Sequence, residues 1–147
     1  MDGVGDAAAP VDVLIAEDSR MQALLLQRRL TEAGHSVRWA ADGRAALALA
    51  RERRPDIIVS DIEMPEMTGY EFCKAVKSDP GLRTIPFILL STLSDPIDII
   101  RGLDSGADNY VTKPYEPDYL LGRMVALLAT PRSEEHTSEL QSPYVIS

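Results

Sequence analysis

The chain has 147 residues, of which 45% are hydrophobic, and its formal net charge is -8. This length and apolar content suit one globular domain with a core of its own and leave no room for a second full domain. The negative charge argues against direct nucleic-acid binding by this segment, because phosphate contacts need a basic face. The single cysteine excludes a disulfide framework and a thiolate metal cluster. Since no apolar stretch is long enough for a membrane span and no signal peptide is present, we expect a cytoplasmic protein without a membrane partner.

Short runs rich in Val and Ile alternate along the chain with segments of helical period. In chain order they predict a strand at 11–16, a helix at 20–33, a strand at 36–40, a helix at 43–53, a strand at 57–60, a helix at 69–78, a strand at 86–91, a helix at 96–105, a strand at 109–112 and a helix at 116–129. The third and fourth strands are almost wholly apolar, as is typical of strands covered on both faces. Five β-α units with right-handed crossovers therefore predict an α/β fold with a parallel sheet between two helical layers.

Local signals support two of these helices. Ser19 is a candidate N-cap for the first helix, and Gly34 is placed to end it. In the last helix, Leu121, Val125 and Leu128 form an apolar stripe that we expect to face the core.

The two ends of the chain differ from the rest. Residues 1–10 are rich in Gly, Ala and Asp without periodicity, which predicts a disordered leader. Residues 132–147, which read RSEEHTSELQSPYVIS, resemble the translation of a widely used short-read sequencing adapter. We therefore expect one domain at 11–130 and treat 131–147 as a non-native or disordered tail. On this interpretation the natural coding sequence is interrupted after Pro131, and a downstream segment is missing.

Polar residues stand where the predicted strands end. Glu17 and Asp18 follow the first strand, Asp61 follows the apolar run of the third, Ser91 ends the fourth, and Lys113 follows the fifth. Because the carboxyl ends of parallel strands meet at one edge, and ligands of open α/β sheets bind there, these side chains predict a site. Three clustered carboxylates call for a cation.

The spacing of these residues resembles that of the receiver domains of two-component response regulators, over essentially all of 11–130. The matching features are the Glu17-Asp18 pair, Asp61 followed by Met64-Pro65 and Gly69, a hydroxyl residue thirty positions after Asp61, Lys113-Pro114 twenty-two positions later, and Gly106-Ala107-Asp108 ahead of Tyr110. Each feature alone is weak, but their joint order and spacing are specific. We therefore expect a flavodoxin-like (βα)5 fold, a doubly wound five-stranded parallel sheet of strand order 2-1-3-4-5.

The resemblance implies a signalling phosphoacceptor and not an enzyme, with at most weak self-dephosphorylation. Asp61 is expected to attack the phosphohistidine of a histidine kinase or a histidine phosphotransfer protein and to become an acyl phosphate. The reaction needs positive charge and correct positioning of the phosphoryl group, and Mg²⁺ supplies most of the positive charge. Asp18 and Asp61 are the expected direct ligands, Glu17 acts directly or through water, and the resemblance adds the backbone carbonyl of Glu63. The Glu63 side chain is expected near the path of an attacking water, where it tunes the phosphoryl lifetime.

The same resemblance gives roles to four further residues. Lys113 pairs with Asp61 before transfer and with a phosphoryl oxygen afterwards, and its bond to Pro114 is expected to be cis. Ser91 is expected to hydrogen-bond a phosphoryl oxygen. Thr92 competes for this role, but the spacing favours Ser91 and places Thr92 where the family often has a small residue that controls access. Tyr110 matches the aromatic switch that turns inward when the hydroxyl moves.

The expected output is a change in the binding preference of the surface at about 96–129, read by a missing downstream output domain. Three alternatives stay open. A Mg²⁺-dependent hydrolase with an aspartyl nucleophile usually has a second aspartate two residues later, where this chain has Glu63. A nucleotide-binding Rossmann unit needs a glycine-rich turn after its first strand, where this chain has Glu17-Asp18-Ser19-Arg20. A degenerate, unphosphorylated interaction domain is disfavoured because all acceptor-site residues are present.

Overall fold

A computed structural model describes residues 9–93 and 95–129 of the chain. In this part of the chain, five strands alternate with five helices: β1 Asp12–Ala16, α1 Arg20–Glu32, β2 Ser36–Ala40, α2 Gly43–Glu52, β3 Ile57–Asp61, α3 Gly69–Ser78, β4 Phe87–Ser91, α4 Pro96–Asp104, β5 Asn109–Thr112 and α5 Pro117–Ala129. Each predicted element is confirmed, with boundaries that agree to within one residue. The expected tail at 131–147 and residues 1–8 of the expected leader lie outside the described residues.

The five strands form one sheet of order β2-β1-β3-β4-β5 with parallel pairing throughout, which confirms the predicted fold class and strand order. The central strands β3 and β4 are buried along their whole length, as their apolar sequences predict. The register pairs Asp61 with Leu90 and Ser91 with Thr112. The carboxyl ends of β3, β4 and β5 therefore lie at the same edge.

Alternate residues of the strands supply two separate cores. In β1, Val13 and Ile15 face a buried cluster that includes residues of α1 and α5, whereas Leu14 and Ala16 face a cluster that includes residues of α2 and α3. This alternation is the two-residue period of a strand, and it places helices on both faces of the sheet. No helix within residues 9–93 and 95–129 has the length and hydropathy that crossing a membrane requires.

The helix signals are confirmed for α1, and for α5 they are confirmed at Leu121 and Leu128, which pack partly buried against the core, and wrong at Val125. The Ser19 side chain accepts a hydrogen bond from the backbone N–H of Gln22 at 3.2 Å, and Gly34 follows the helix with φ +99°. In α5, Val125 is 41% exposed, and the residues that the helix buries are Leu120 and Met124. The buried pair has the four-residue spacing of one helix face, and α5 contacts α1 on the same side of the sheet.

Candidate functional site

Three carboxylates converge at the carboxyl edge of the sheet. Oxygens of Glu17, Asp18 and Asp61 all lie within 4.8 Å of one another. Glu17 and Asp61 are buried, whereas Asp18 is exposed. The three carboxylates line a cleft of about 280 Å³ together with Ser91 and Lys113, among other residues. The structure therefore brings together the acids that the strand ends predict.

Lys113 reaches this cluster from the loop between β5 and α5. Its Nζ lies 2.7 Å from Asp61 Oδ1 and 3.2 Å from Glu17 Oε1. It also donates a hydrogen bond to Gln22 Oε1 at 2.6 Å. The peptide bond between Lys113 and Pro114 is cis, as expected. The ammonium is thus fixed by three oxygen atoms, two from the segment that joins β1 to α1 and begins α1, and one from the end of β3.

Burial dominates the electrostatics of the cleft. It raises the pKa of Asp61 from 3.8 to about 7, because the lowering effect of Lys113 is insufficient and Glu17 adds to the rise. Burial also opposes the charge on Lys113, but the carboxylates of Asp61 and Glu17 outweigh it and raise the pKa of the ammonium. The pKa of Asp61 is therefore raised mainly by burial, and the pKa of Lys113 is raised by the two carboxylates that it contacts.

The cluster has the donor chemistry of a hard divalent cation. Among the described residues, Asp61 Oδ1 is a buried side-chain oxygen that accepts no hydrogen bond. Its contact is the ion pair with the Lys113 ammonium. Two like charges about 4 Å apart cost roughly 4 kcal/mol at an effective dielectric constant of about 20. An oxygen-only set with excess negative charge fits Mg²⁺, which prefers carboxylate and water ligands.

The backbone fixes Glu17 and prevents it from turning out of the cleft. Its N–H donates to Ala40 O at 3.0 Å, and its carbonyl accepts the indole N–H of Trp39 at 2.8 Å. Its carboxylate Oε2 accepts the backbone N–H of Ser19 at 3.0 Å, which leaves Oε1 for Lys113. The acid at the end of β1 is therefore held in place before any ligand binds.

Gly69 allows α3 to begin directly against the end of β3. Its N–H donates to Ile62 O at 2.8 Å, and a Cβ at this position would lie 2.1 Å from Asp61 O. No side chain can replace glycine here without moving the backbone of Asp61. A capping box formed by Thr68 and Glu71 completes the start of α3.

Two predicted switch residues meet at Leu93, in the loop after β4. Ser91 is 4% exposed, and its Oγ accepts the Leu93 N–H at 2.9 Å. The Tyr110 hydroxyl donates to Leu93 O at 2.7 Å. Tyr110 is turned inward, half-buried against the core cluster that includes residues of α2 and α3. Thr92 is exposed at the mouth of the cleft, where Glu63 also presents an exposed side chain.

Three contacts of the site were not foreseen from the sequence. Gln22 could have been found, because it lies in the first turn of α1, directly after the Glu17-Asp18 pair. The bond from Trp39 to Glu17 depends on β2 lying next to β1, which a local pattern does not encode. The role of Leu93 is carried by backbone atoms, which its residue type does not reveal.

A family model described as response regulator receiver domain matches residues 13–125. The chain belongs to this family. The transcriptional regulatory protein AfsQ1 of Streptomyces coelicolor is 40% identical to this receiver domain over 130 residues, which cover 88% of the chain and 56% of AfsQ1. The signal receiver domain of a histidine kinase from Syntrophus aciditrophicus is 41% identical, with a TM-score of 0.77, over 90% of this chain and 98% of that one.

A second similar structure is the receiver domain of sensor histidine kinase PA1611 from Pseudomonas aeruginosa PAO1, solved with magnesium coordinated in its active-site cleft. It covers 83% of this chain and 100% of its own, with a TM-score of 0.78, and at 24% identity it shows the shared fold. The receiver domain spans about half the length of the curated relatives that it matches first. It has the signalling role of its family, in which an aspartate accepts a phosphoryl group.

Proposed function

We propose that Asp61 is the phosphoacceptor of this receiver domain and that its donor is a phosphohistidine on a histidine kinase or a histidine phosphotransfer protein. The observation that carries the proposal is a buried Asp61 carboxylate beside Lys113, with two further carboxylates within 4.8 Å. An Asp61 carboxylate oxygen forms the bond to phosphorus as the phosphorus–nitrogen bond breaks, and the electron pair leaves with the imidazole. The transfer leaves the phosphoryl group on Asp61 as an acyl phosphate and does not pass it directly to water.

Mg²⁺ is the cofactor of this proposal. Asp18 and Asp61 are the direct ligands, Glu17 binds directly or through water, and the backbone carbonyl of Glu63 completes the protein ligands. When bound, the ion neutralises charge on the transferring phosphoryl group. Glu17 contributes orientation as well as charge, because the Ser19 N–H and Lys113 hold its two oxygens.

Lys113 and Ser91 are proposed to recognise the phosphoryl group once it is on Asp61. Lys113 already contacts the Asp61 carboxylate and needs little movement to reach a phosphoryl oxygen. Ser91, buried and lining the cleft, donates its hydroxyl to another oxygen. Because the Ser91 Oγ also accepts the Leu93 N–H, a rotation of Ser91 changes the support of the loop to which Tyr110 is bonded. Thr92 is proposed to restrict access to the cleft.

The donor is proposed to dock against the N-terminal half of α1, beside the cleft. Met21, Leu24 and Leu25 are large apolar residues exposed by 65%, 51% and 57%. Leu25 also lines a groove of about 450 Å³ that shares Gln22, Thr92 and Lys113 with the acidic cleft. This continuity favours a partner that covers the apolar face of α1 while it presents its phosphohistidine to Asp61.

The docking surface can be tested with a histidine kinase that phosphorylates the wild-type domain. Leu25→Asp is expected to slow transfer from the kinase and to leave labelling by acetyl phosphate unchanged. Leu103→Asp, at a residue of α4 that is 48% exposed, is the matched control and is expected to leave both rates unchanged. Equal loss of transfer from both donors in Leu25→Asp would contradict the docking role.

The output of the protein is proposed to lie in a downstream domain that this chain lacks. The first relatives are named as transcriptional or DNA-binding regulators, and the chain spans 52–56% of their length. The receiver segment itself is proposed to act in the cytoplasm as a phosphoacceptor without direct nucleic-acid or membrane binding. Repeated turnover of a small phosphomonoester by the purified domain would instead favour a hydrolase.

The acceptor role is tested by incubating the purified chain with acetyl phosphate and Mg²⁺ and measuring its intact mass. The wild type is expected to gain one phosphoryl group, and Asp61→Asn to gain none. Asp56→Asn is the matched control, because this aspartate lies just before β3 at the opposite end of the strand from the cleft. An adduct that persists in Asp61→Asn would refute the assignment.

The same assay tests the proposed influence of Glu63 on the phosphoryl lifetime. Because its exposed side chain lines the cleft, Glu63→Ala is expected to change the rate at which the adduct is lost. An unchanged rate would remove Glu63 from the proposal.

A further inference from the structure

Helix α4 is only weakly anchored by apolar contacts. The residue that α4 buries fully is Gly102, which has no side chain to pack. Ile97, Ile100 and Leu103 are instead exposed by 72%, 57% and 48%. A helix that buries little apolar surface owes its position to a small number of specific contacts, so the loss of any one of them matters.

One of these contacts comes from Tyr70 in the first turn of α3. Tyr70 is buried to 7% exposure, and its hydroxyl donates to the backbone carbonyl of Asp98 at 3.3 Å. The guanidinium of Arg101 lies over its ring, 4.4 Å from the centroid. Tyr70 therefore holds the first turn of α4 by a hydrogen bond and the next turn by a cation–π contact.

A second contact comes from Tyr110 on β5. Its ring packs against Gly102, where a Cβ would lie 2.6 Å from Tyr110 Cδ2. Burial raises the pKa of both Tyr70 and Tyr110, and both side chains pack in the core cluster that includes residues of α2 and α3. The two tyrosines thus approach α4 from α3 and from β5, and both contact it.

We propose that Tyr70 is a positioning residue that couples the inward orientation of Tyr110 to the position of α4. The proposal rests on the proposed phosphoacceptor function and extends it past the Ser91, Leu93 and Tyr110 contacts. An inward Tyr110 packs its ring against Gly102, one turn after Asp98 in α4, and the Tyr70 hydroxyl holds Asp98. Loss of the inward orientation of Tyr110 therefore removes support from α4, whereas phosphorylation, which is expected to favour the inward orientation, retains this support. When the support is lost, the helix shifts with its exposed isoleucines and leucine, which alters the surface at 96–129.

The test is Tyr70→Phe, which removes one hydroxyl and keeps the ring under Arg101. Amide resonances of α4 are followed by NMR in the unphosphorylated chain and after treatment with acetyl phosphate and Mg²⁺. Loss of one hydrogen bond is expected to change the ratio of the two α4 positions about fivefold. The resonances of Asp98 and Arg101 in unphosphorylated Tyr70→Phe should therefore move in the direction opposite to the change that phosphorylation produces in the wild type. The rate of labelling at Asp61 is expected to stay unchanged.

Tyr119→Phe is the matched control, because Tyr119 is 54% exposed on α5, and it is expected to leave the α4 resonances unchanged. Gly102→Ala gives a second test, since a methyl group there must displace the Tyr110 ring, and it is expected to move the α4 resonances in the same direction. Wild-type α4 resonances in Tyr70→Phe, or shifts spread evenly over the whole sheet, would overturn the coupling. Failure of the wild type to take up a phosphoryl group would instead overturn the proposed function, while the unphosphorylated comparison would still decide whether Tyr70 positions α4.

Discussion

The buried charge of Asp61 makes a quantitative prediction about stability. In the absence of divalent ions, Asp61→Asn is expected to unfold less readily than the wild type at pH 8. Burial raises the pKa of Asp61 from 3.8 to about 7. Each pKa unit corresponds to about 1.4 kcal/mol, so the ionised carboxylate destabilises the fold by at most roughly 4 kcal/mol. Asparagine keeps the shape without the charge, and we expect a gain of about 2–4 kcal/mol, measured by urea unfolding in EDTA.

The pH dependence separates this effect from other consequences of the substitution. A group with a raised pKa in the folded state binds more protons when folded, so the wild type loses stability as the pH rises from about 4 to 7. The gap between Asp61→Asn and the wild type should therefore be small at pH 4, widen up to pH 7 and stay constant above it. Asp18→Asn is the matched control, because the same cluster holds Asp18 in an exposed position, and its gain should be less than half as large. A gap that does not vary with pH would refute the reasoning.

Three further predictions concern the metal, an ion-pair network and a glycine. Magnesium is expected to stabilise the wild type by about 2.7 kcal/mol at a free concentration of about 100 times Kd, and to leave the stability of Asp61→Asn unchanged. Binding is followed by the fluorescence of Trp39, whose indole N–H donates to the Glu17 carbonyl. Equal stabilisation of both proteins would contradict a magnesium site in the acidic cleft. Arg38→Met is expected to lower the free energy of unfolding by about 2 kcal/mol, because Arg38 donates to the Asp12 carboxylate and to two backbone carbonyls, whereas an unchanged urea midpoint would contradict a structural role. Gly69→Ala is expected to cost about 3 kcal/mol and to slow labelling at Asp61, since its methyl group collides with Asp61 O; wild-type stability would show that the backbone yields easily.

The elements of the fold could be predicted because their signals are local. Apolar runs, the Ser19 cap and Gly34 fix where strands and helices begin and end, and the crossover rule then sets the architecture. The convergence of Glu17, Asp61 and Lys113 could also be predicted, because residues that follow parallel strands meet at one edge whatever their separation in the chain.

What could not be predicted depends on how the elements rotate and pack. The stripe predicted for α5 is correct at Leu121 and Leu128 and wrong at Val125, because apolar residues occupy adjacent faces of the helix and tertiary contacts select Leu120 and Met124 as the fully buried pair. Tyr70 reads in the sequence as an ordinary apolar residue of α3. Its hydroxyl donates to Asp98 O of α4, and this contact exists only because the folded sheet places α4 beside α3.

The phosphoacceptor role of Asp61 is tested most directly by locating the phosphoryl group after transfer from a phosphorylated histidine kinase. Borohydride reduces an acyl phosphate to an alcohol, so the modified residue can be identified by peptide mass spectrometry. Reduction is expected at Asp61 in the wild type, dependent on Mg²⁺, with Asp18 and Glu17 unmodified. A reduced residue at any other position, or transfer that is undiminished in EDTA, would contradict the assignment of the acidic cleft as a magnesium-dependent phosphoacceptor site.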